Sequence, residues 1–119
     1  MNKIELGKKR RIRRKRTIRG KIYGTSTIPR LSVFRSNKYI YVQAIDDEKG
    51  MTIESSSSLQ LGNGKMKLNK KTASEVGKDI ALKLKNKKIE TVVFDRNGFL
   101  YTGKIKSLAD AARENGIKF

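Results

Sequence analysis

The run Pro29-Arg30-Leu31-Ser32-Val33-Phe34-Arg35-Ser36-Asn37-Lys38-Tyr39-Ile40-Tyr41-Val42-Gln43-Ala44-Ile45 decides how this chain folds. Two stretches rich in β-branched and aromatic residues flank Ser36-Asn37-Lys38, and that turn chemistry predicts a β-hairpin. Side chains alternate along a strand, so Leu31, Val33, Ile40, Val42 and Ala44 share one apolar face. Arg30, Ser32, Phe34, Ser36, Tyr39, Tyr41 and Gln43 share the other. Pro29, the only proline, fixes an extended entry into the first strand.

Beyond the hairpin, Asp46-Asp47-Glu48-Lys49-Gly50 reads as a solvated turn into a third strand over 51–56. A polar loop with two glycines follows over 62–67. Thr72 and Glu75 then stand at capping-box spacing, and Val76, Ile80 and Leu84 recur every fourth residue with Ala73 and Ala81 beside them. That pattern predicts a helix, and Lys83, Lys85, Lys87 and Lys88 suit its C-terminal end. Thr91-Val92-Val93-Phe94 has the look of a short strand buried in a parallel pairing. Asp95-Arg96-Asn97-Gly98 turns the chain. Ser107 with Asp110 predicts the cap of a last helix, packed through Leu108, Ala109, Ala111 and Ala112 and ended by Gly116. The order β-β-β-α-β-α implies an α/β fold. Its mixed sheet combines an antiparallel three-strand meander with a crossover strand, packs against two helices and is preceded by a basic N-terminal arm.

Residues 1–21 hold 11 of the 29 basic residues and a single acid, Glu5. The arm Lys8-Lys9-Arg10-Arg11-Ile12-Arg13-Arg14-Lys15-Arg16-Thr17-Ile18-Arg19 is too charged to fold alone, and Ile12 and Ile18 are too sparse for an apolar stripe. It is expected to stay disordered until phosphates neutralise it and let it order as a short helix. Gly20, Gly24 and Thr25-Ser26-Thr27 read as a linker. The expected division is a basic arm and linker over 1–25 and one α/β RNA-binding domain over 26–119, a length that suits a single modest core.

A formal net charge of +18 on 119 residues repels itself and calls for a polyanion in the working state. The chain has no Cys and no His, which removes thiolate chemistry, Cys-ligated zinc and the commonest general base. No apolar run approaches the roughly 20 residues that span a bilayer. The basic start has no apolar stretch after it, so it does not read as a secretory signal, and the cytoplasm is the expected compartment. The arm also lacks the Leu, Phe or Trp face of a membrane-surface helix. A metal-dependent nuclease could be built only on Asp46, Glu54 and Asp95. Consecutive acids in a turn diverge, however, and Asp95 reads more simply as a turn residue or a partner of Arg96.

Nucleic acid fits better. The guanidinium fork grips phosphate bidentately and stacks on bases, and arginine outnumbers lysine in the arm. Lys8, Lys9, Arg10, Arg11, Arg13, Arg14, Lys15, Arg16 and Arg19 are therefore candidate RNA contacts. A sheet face mixing Tyr41, Gln43, Ser32 and Arg30 is the kind on which folded domains stack unpaired bases. Ser36, Asn37 and Lys38 form an exposed tip. The loop from Asp95 to Lys104 mixes basic and aromatic residues, with Arg96, Asn97, Gly98, Tyr101 and Lys104 as its candidates. An architectural DNA-binding protein could use the same arm, but it would need a recognition helix bearing Arg, Asn or Gln, and the helix at 72–86 is studded with lysine instead.

The segments Pro29 to Tyr41, Val93-Phe94-Asp95-Arg96-Asn97-Gly98 and Ala109-Asp110-Ala111-Ala112-Arg113-Glu114 closely resemble the bacterial large-subunit ribosomal protein L-eighteen family. The likeness runs from the arm to Gly116-Ile117-Lys118-Phe119, with the motifs in the family's order and spacing. It is weakest over 59–68, and many relatives carry a second glycine or a histidine where this chain has Asn97 and Thr102. The resemblance implies a structural, non-catalytic component of the large subunit. Such a protein binds 5S ribosomal RNA, helps attach it to 23S RNA in the central protuberance and meets neighbouring 5S-associated proteins. It implies no cofactor, membrane or small-molecule substrate. Carried over by position, the RNA contacts come from the arm, from Arg30, Ser32, Arg35, Ser36 and Asn37, from Tyr41 and Gln43, and from the Arg96 to Lys104 loop.

Overall fold

A computed structural model describes residues 3–119, apart from the side chain of Ile4; the first two residues of the arm lie outside it. The elements are α1 (Lys3–Arg19), β1 (Arg30–Arg35), β2 (Ile40–Asp46), β3 (Met51–Ser57), α2 (Ser58–Gly62), α3 (Lys70–Asn86), β4 (Val93–Asp95) and α4 (Gly103–Glu114). The sheet runs β3-β2-β1-β4, antiparallel from β3 to β1, with β4 parallel to β1. This is the expected mixed sheet, joined by its crossover strand.

The alternation read along the hairpin holds in space. Leu31 and Val33 of β1 and Ile40, Val42 and Ala44 of β2 are all fully buried. They pack against Ala73, Val76, Ile80, Ala81 and Leu84 of α3 and Ile105, Leu108 and Ala112 of α4. Burying each large aliphatic chain stabilises the fold by about 1.5–3 kcal/mol before chain entropy is counted. The two helices cross closely because a Cβ at Gly77 would stand only 2.2 Å from the Leu108 carbonyl oxygen. Both therefore lie on one side of the sheet. The C-terminus covers the edge beyond β4, where Val92 N–H donates to the Lys118 carbonyl and the Phe94 and Phe119 rings stack at 5.2 Å.

Three local expectations are corrected. The cap of α3 is Asn69, whose side chain accepts from Thr72 N–H, rather than Thr72 itself. The exposed first turn, Lys70 and Lys71, precedes the apolar stripe and so carries no periodic signal. The last helix starts at Gly103 after an N-cap at Thr102, and the Ser107 hydroxyl donates to the Gly103 carbonyl inside it. Just ahead of the loop expected over 62–67, in a stretch the sequence left unassigned, Ser57 caps the short α2 by accepting from Gln60 N–H.

The expected linker is pinned to the body: Gly24 N–H donates to Asp47 Oδ2, and Asp47 N–H donates to the Gly24 carbonyl. The arm is a helix of 17 residues, the form expected of it once ordered. Arginine and lysine are good helix formers, and α1 contains no proline or β-branched run. Side-chain contacts to the body, described below, supply what the arm lacks in apolar surface.

Candidate nucleic-acid interface

With α3 and α4 covering one face of the sheet, the opposite face is left to Ser32 and Phe34 of β1 and Tyr41 and Gln43 of β2. The strand register sets Ser32 opposite Gln43 and Phe34 opposite Tyr41. Gln43 and Phe34 are exposed, while Ser32 and Tyr41 are half-buried. A row of rings results: Phe99, Phe34, Tyr41 and Tyr39, with successive centroids 5.7, 6.2 and 6.4 Å apart. These spacings are those of edge and tilted aromatic pairs, which hold one another in place while leaving ring surface free. Exposed ring surface of this kind is chemically able to stack unpaired bases.

The arm meets this row at its Phe99 end. The Arg11 guanidinium lies 4.0 Å from the Phe99 centroid and 5.5 Å from that of Phe34. Desolvation, and then the Arg14 charge, pull the Arg11 pKa below its ordinary value. Its Nε is buried without a hydrogen-bond partner among the described residues, so the rings supply the compensating attraction. One turn on, Arg14 Nε donates to the Gly98 carbonyl at 2.8 Å. Gly98 is buried beneath the helix, with φ of 77° and a would-be Cβ 2.2 Å from the Arg11 carbonyl. It is the seat of α1. The other basic residues of the arm, Lys8, Lys9, Arg10, Arg13, Arg16 and Arg19, are exposed, and Lys15 is half-buried.

Arg30 is turned inward. It is 5% exposed, with Nε and one terminal nitrogen bound to the two carboxylate oxygens of Asp47 at 2.9 and 3.0 Å. The other terminal nitrogen reaches Asp95 Oδ2 at 2.8 Å. Asp95 therefore partners Arg30 and not Arg96: the parallel register of β4 with β1 sets Asp95 opposite Ser32, two residues along from Arg30, and the long guanidinium side chain spans that diagonal. Arg96 instead donates to the Phe99 carbonyl and shapes its own loop. Asn97 is buried, with its N–H on Asp95 Oδ1. The acidic turn is less solvated than expected: Asp46 is 1% exposed and accepts from Glu48 and Lys49 N–H. Glu54 pairs with Lys87. Among the described residues no three His, Cys, Asp or Glu side chains stand together as a metal site.

At the hairpin tip, Ser36 Oγ accepts from Tyr39 N–H, which closes the turn and leaves Asn37 and Lys38 exposed. Arg35 is exposed at the end of β1. Tyr101 packs edge-on against Phe94, and its hydroxyl accepts from Arg113. Lys104 stands in the first turn of α4. The sequence reading missed Phe99 as the anchor of the arm. An aromatic in a basic loop was its only available signal. No described helix is long and apolar enough to cross a membrane.

The family model for ribosomal L18 of archaea, bacteria, mitochondria and chloroplasts matches residues 6–119. Three similar proteins each carry the name large ribosomal subunit protein uL18. That of a Nitratiruptor species is 55% identical over 109 residues, 92% of this chain and 90% of its own length. That of Lactobacillus acidophilus is 56% identical over 111 residues, covering 93% of each chain. That of Brachyspira hyodysenteriae is 55% identical over 114 residues, covering 94% of each.

Proposed function

The chain belongs to the ribosomal L18 family of large-subunit proteins, and from that premise we propose that it binds 5S rRNA and helps attach it to 23S rRNA in the central protuberance. Its role there is structural, without catalysis, among neighbouring 5S-associated proteins. The observation that carries this reading is the row of rings on the open sheet face, with a guanidinium-rich helix anchored at its end. Labour divides between the two parts. Residues 26–119 select an RNA fold through Tyr41, Gln43, Ser32 and the Asn37–Lys38 tip, by stacking and ribose contacts. Residues 1–25 neutralise phosphates, which position the RNA without reading its sequence.

Titration of labelled 5S RNA against a length-matched scrambled RNA, over a range of salt and with duplex DNA as competitor, tests the reading. Tight binding to 5S RNA that survives moderate salt and resists the DNA is the expected result. Equal, salt-fragile binding to all three nucleic acids would reduce the chain to a generic polycation.

A further inference from the structure

Where the arm crosses the body, a cavity of about 390 Å³ opens between four elements. Arg14 of α1, Arg35 at the end of β1, Lys70 in the first turn of α3 and Lys104 in the first turn of α4 all line it, and no carboxylate does. None of the four pairs with an acid among the described residues. Among the described residues Arg14 commits only its Nε, to the Gly98 carbonyl, which leaves its terminal nitrogens to donate elsewhere. The ordinary fate of surface lysines and arginines is to splay into water away from one another. Four cations brought from four elements to one concavity repel instead, and an anion between them turns that repulsion into attraction. The cavity also faces the start of α4, where the Thr102 side chain makes no capping bond and first-turn N–H groups are left for another acceptor.

We propose that this cleft is a clamp for the RNA sugar–phosphate backbone, in which Lys70 and Lys104 of the body and Arg14 of the arm grip consecutive phosphates. The proposal rests on the RNA-binding reading and adds a place and a partner chemistry to it. Because one wall belongs to the arm and the others to the body, a backbone seated here locks the two together. RNA on the ring row is then continuous with RNA along α1.

The test is the double variant Lys70→Gln/Lys104→Gln in the full chain, titrated with 5S RNA over salt. Lys85→Gln/Lys88→Gln, which removes equal charge from exposed positions in the last turn of α3 and just beyond its end, is the control. The cleft variant should bind about tenfold or more weakly at physiological salt. Its log–log salt slope should be shallower by between one and two units, since each phosphate contact contributes about 0.7–0.9. The control should move neither quantity comparably. Equal losses in the two variants, or an unchanged slope in the cleft variant, overturn the clamp. The wild-type preference for 5S over scrambled RNA is read in the same titrations. A flat result with that preference intact ends the clamp alone, whereas loss of the preference ends the functional reading beneath it. Far-UV circular dichroism of both variants confirms that the fold is retained.

Discussion

Arg30 shows how a single side chain changes meaning once the sheet is assembled. Its position on the ring-bearing face suggested an RNA contact, yet its guanidinium ties the β2–β3 turn to β4 through Asp47 and Asp95. Removing one member of such a buried pair costs about 3–5 kcal/mol, because the survivor is left charged and unpaired. The Arg30 hydrogen bond, followed by the Gly24 N–H, holds the Asp47 carboxyl at about 2 against an ordinary 3.8. The folded state thus binds this proton less readily than the unfolded chain does. Its contribution is complete above the ordinary carboxyl value and drains away as pH falls towards 2. Asp47→Asn should therefore be less stable at neutral pH, with a shallower loss of stability between pH 4 and about pH 2. Urea unfolding across that range, followed by circular dichroism, measures both, and parallel pH curves for the variant and the parent would refute the linkage.

Among the elements, α1 depends most on a few distant contacts. It has no apolar stripe, and its hold on the body is Arg11 on two rings and Arg14 on the Gly98 carbonyl. Gly98→Ala asks an L-residue to adopt φ of 77° and places a methyl where the Arg11 carbonyl lies. The backbone conformation alone costs about 1–2 kcal/mol. Hydrogen exchange should show α1 amides losing protection while those of α3 keep theirs; unchanged protection in α1 would mean that the helix does not depend on this seat. The same contrast explains what could be read in advance. Period two along β1 and β2 and the four-residue recurrence of Val76, Ile80 and Leu84 are local signals, and the sheet and α3 were legible from them. The start of α3 depends on the Asn69 cap and that of α4 falls at Thr102, whose side chain makes no capping bond; both precede any apolar stripe. The Arg11 platform, the Arg30 ion pairs and the cleft at Lys70 each join residues that only the tertiary fold brings together, so no window of sequence displays them.

On the scale of the whole molecule, two kinds of surface do different work. The core, drawn from β1, β2, α3, α4, the chain leading into β4 and Ile117 of the C-terminal tail, includes no described residue of the arm. The body should therefore fold without it, while half of the net positive charge would go with it. If the arm touches five or six phosphates, deleting residues 1–20 removes about four to five units of salt slope, at roughly 0.7–0.9 per contact. The same deletion uncovers Phe34 and Phe99 and opens one wall of the cleft, so specific affinity should fall further than the lost charge alone accounts for. The truncated protein should still unfold cooperatively in urea and still prefer 5S RNA over a scrambled sequence, because the face bearing Tyr41 and Gln43 stays intact. Salt-dependent titration beside a urea melt checks both halves. A slope that survives the deletion would place the phosphate contacts on the body. A body that fails to unfold cooperatively would make α1 part of the fold itself rather than an arm attached to it.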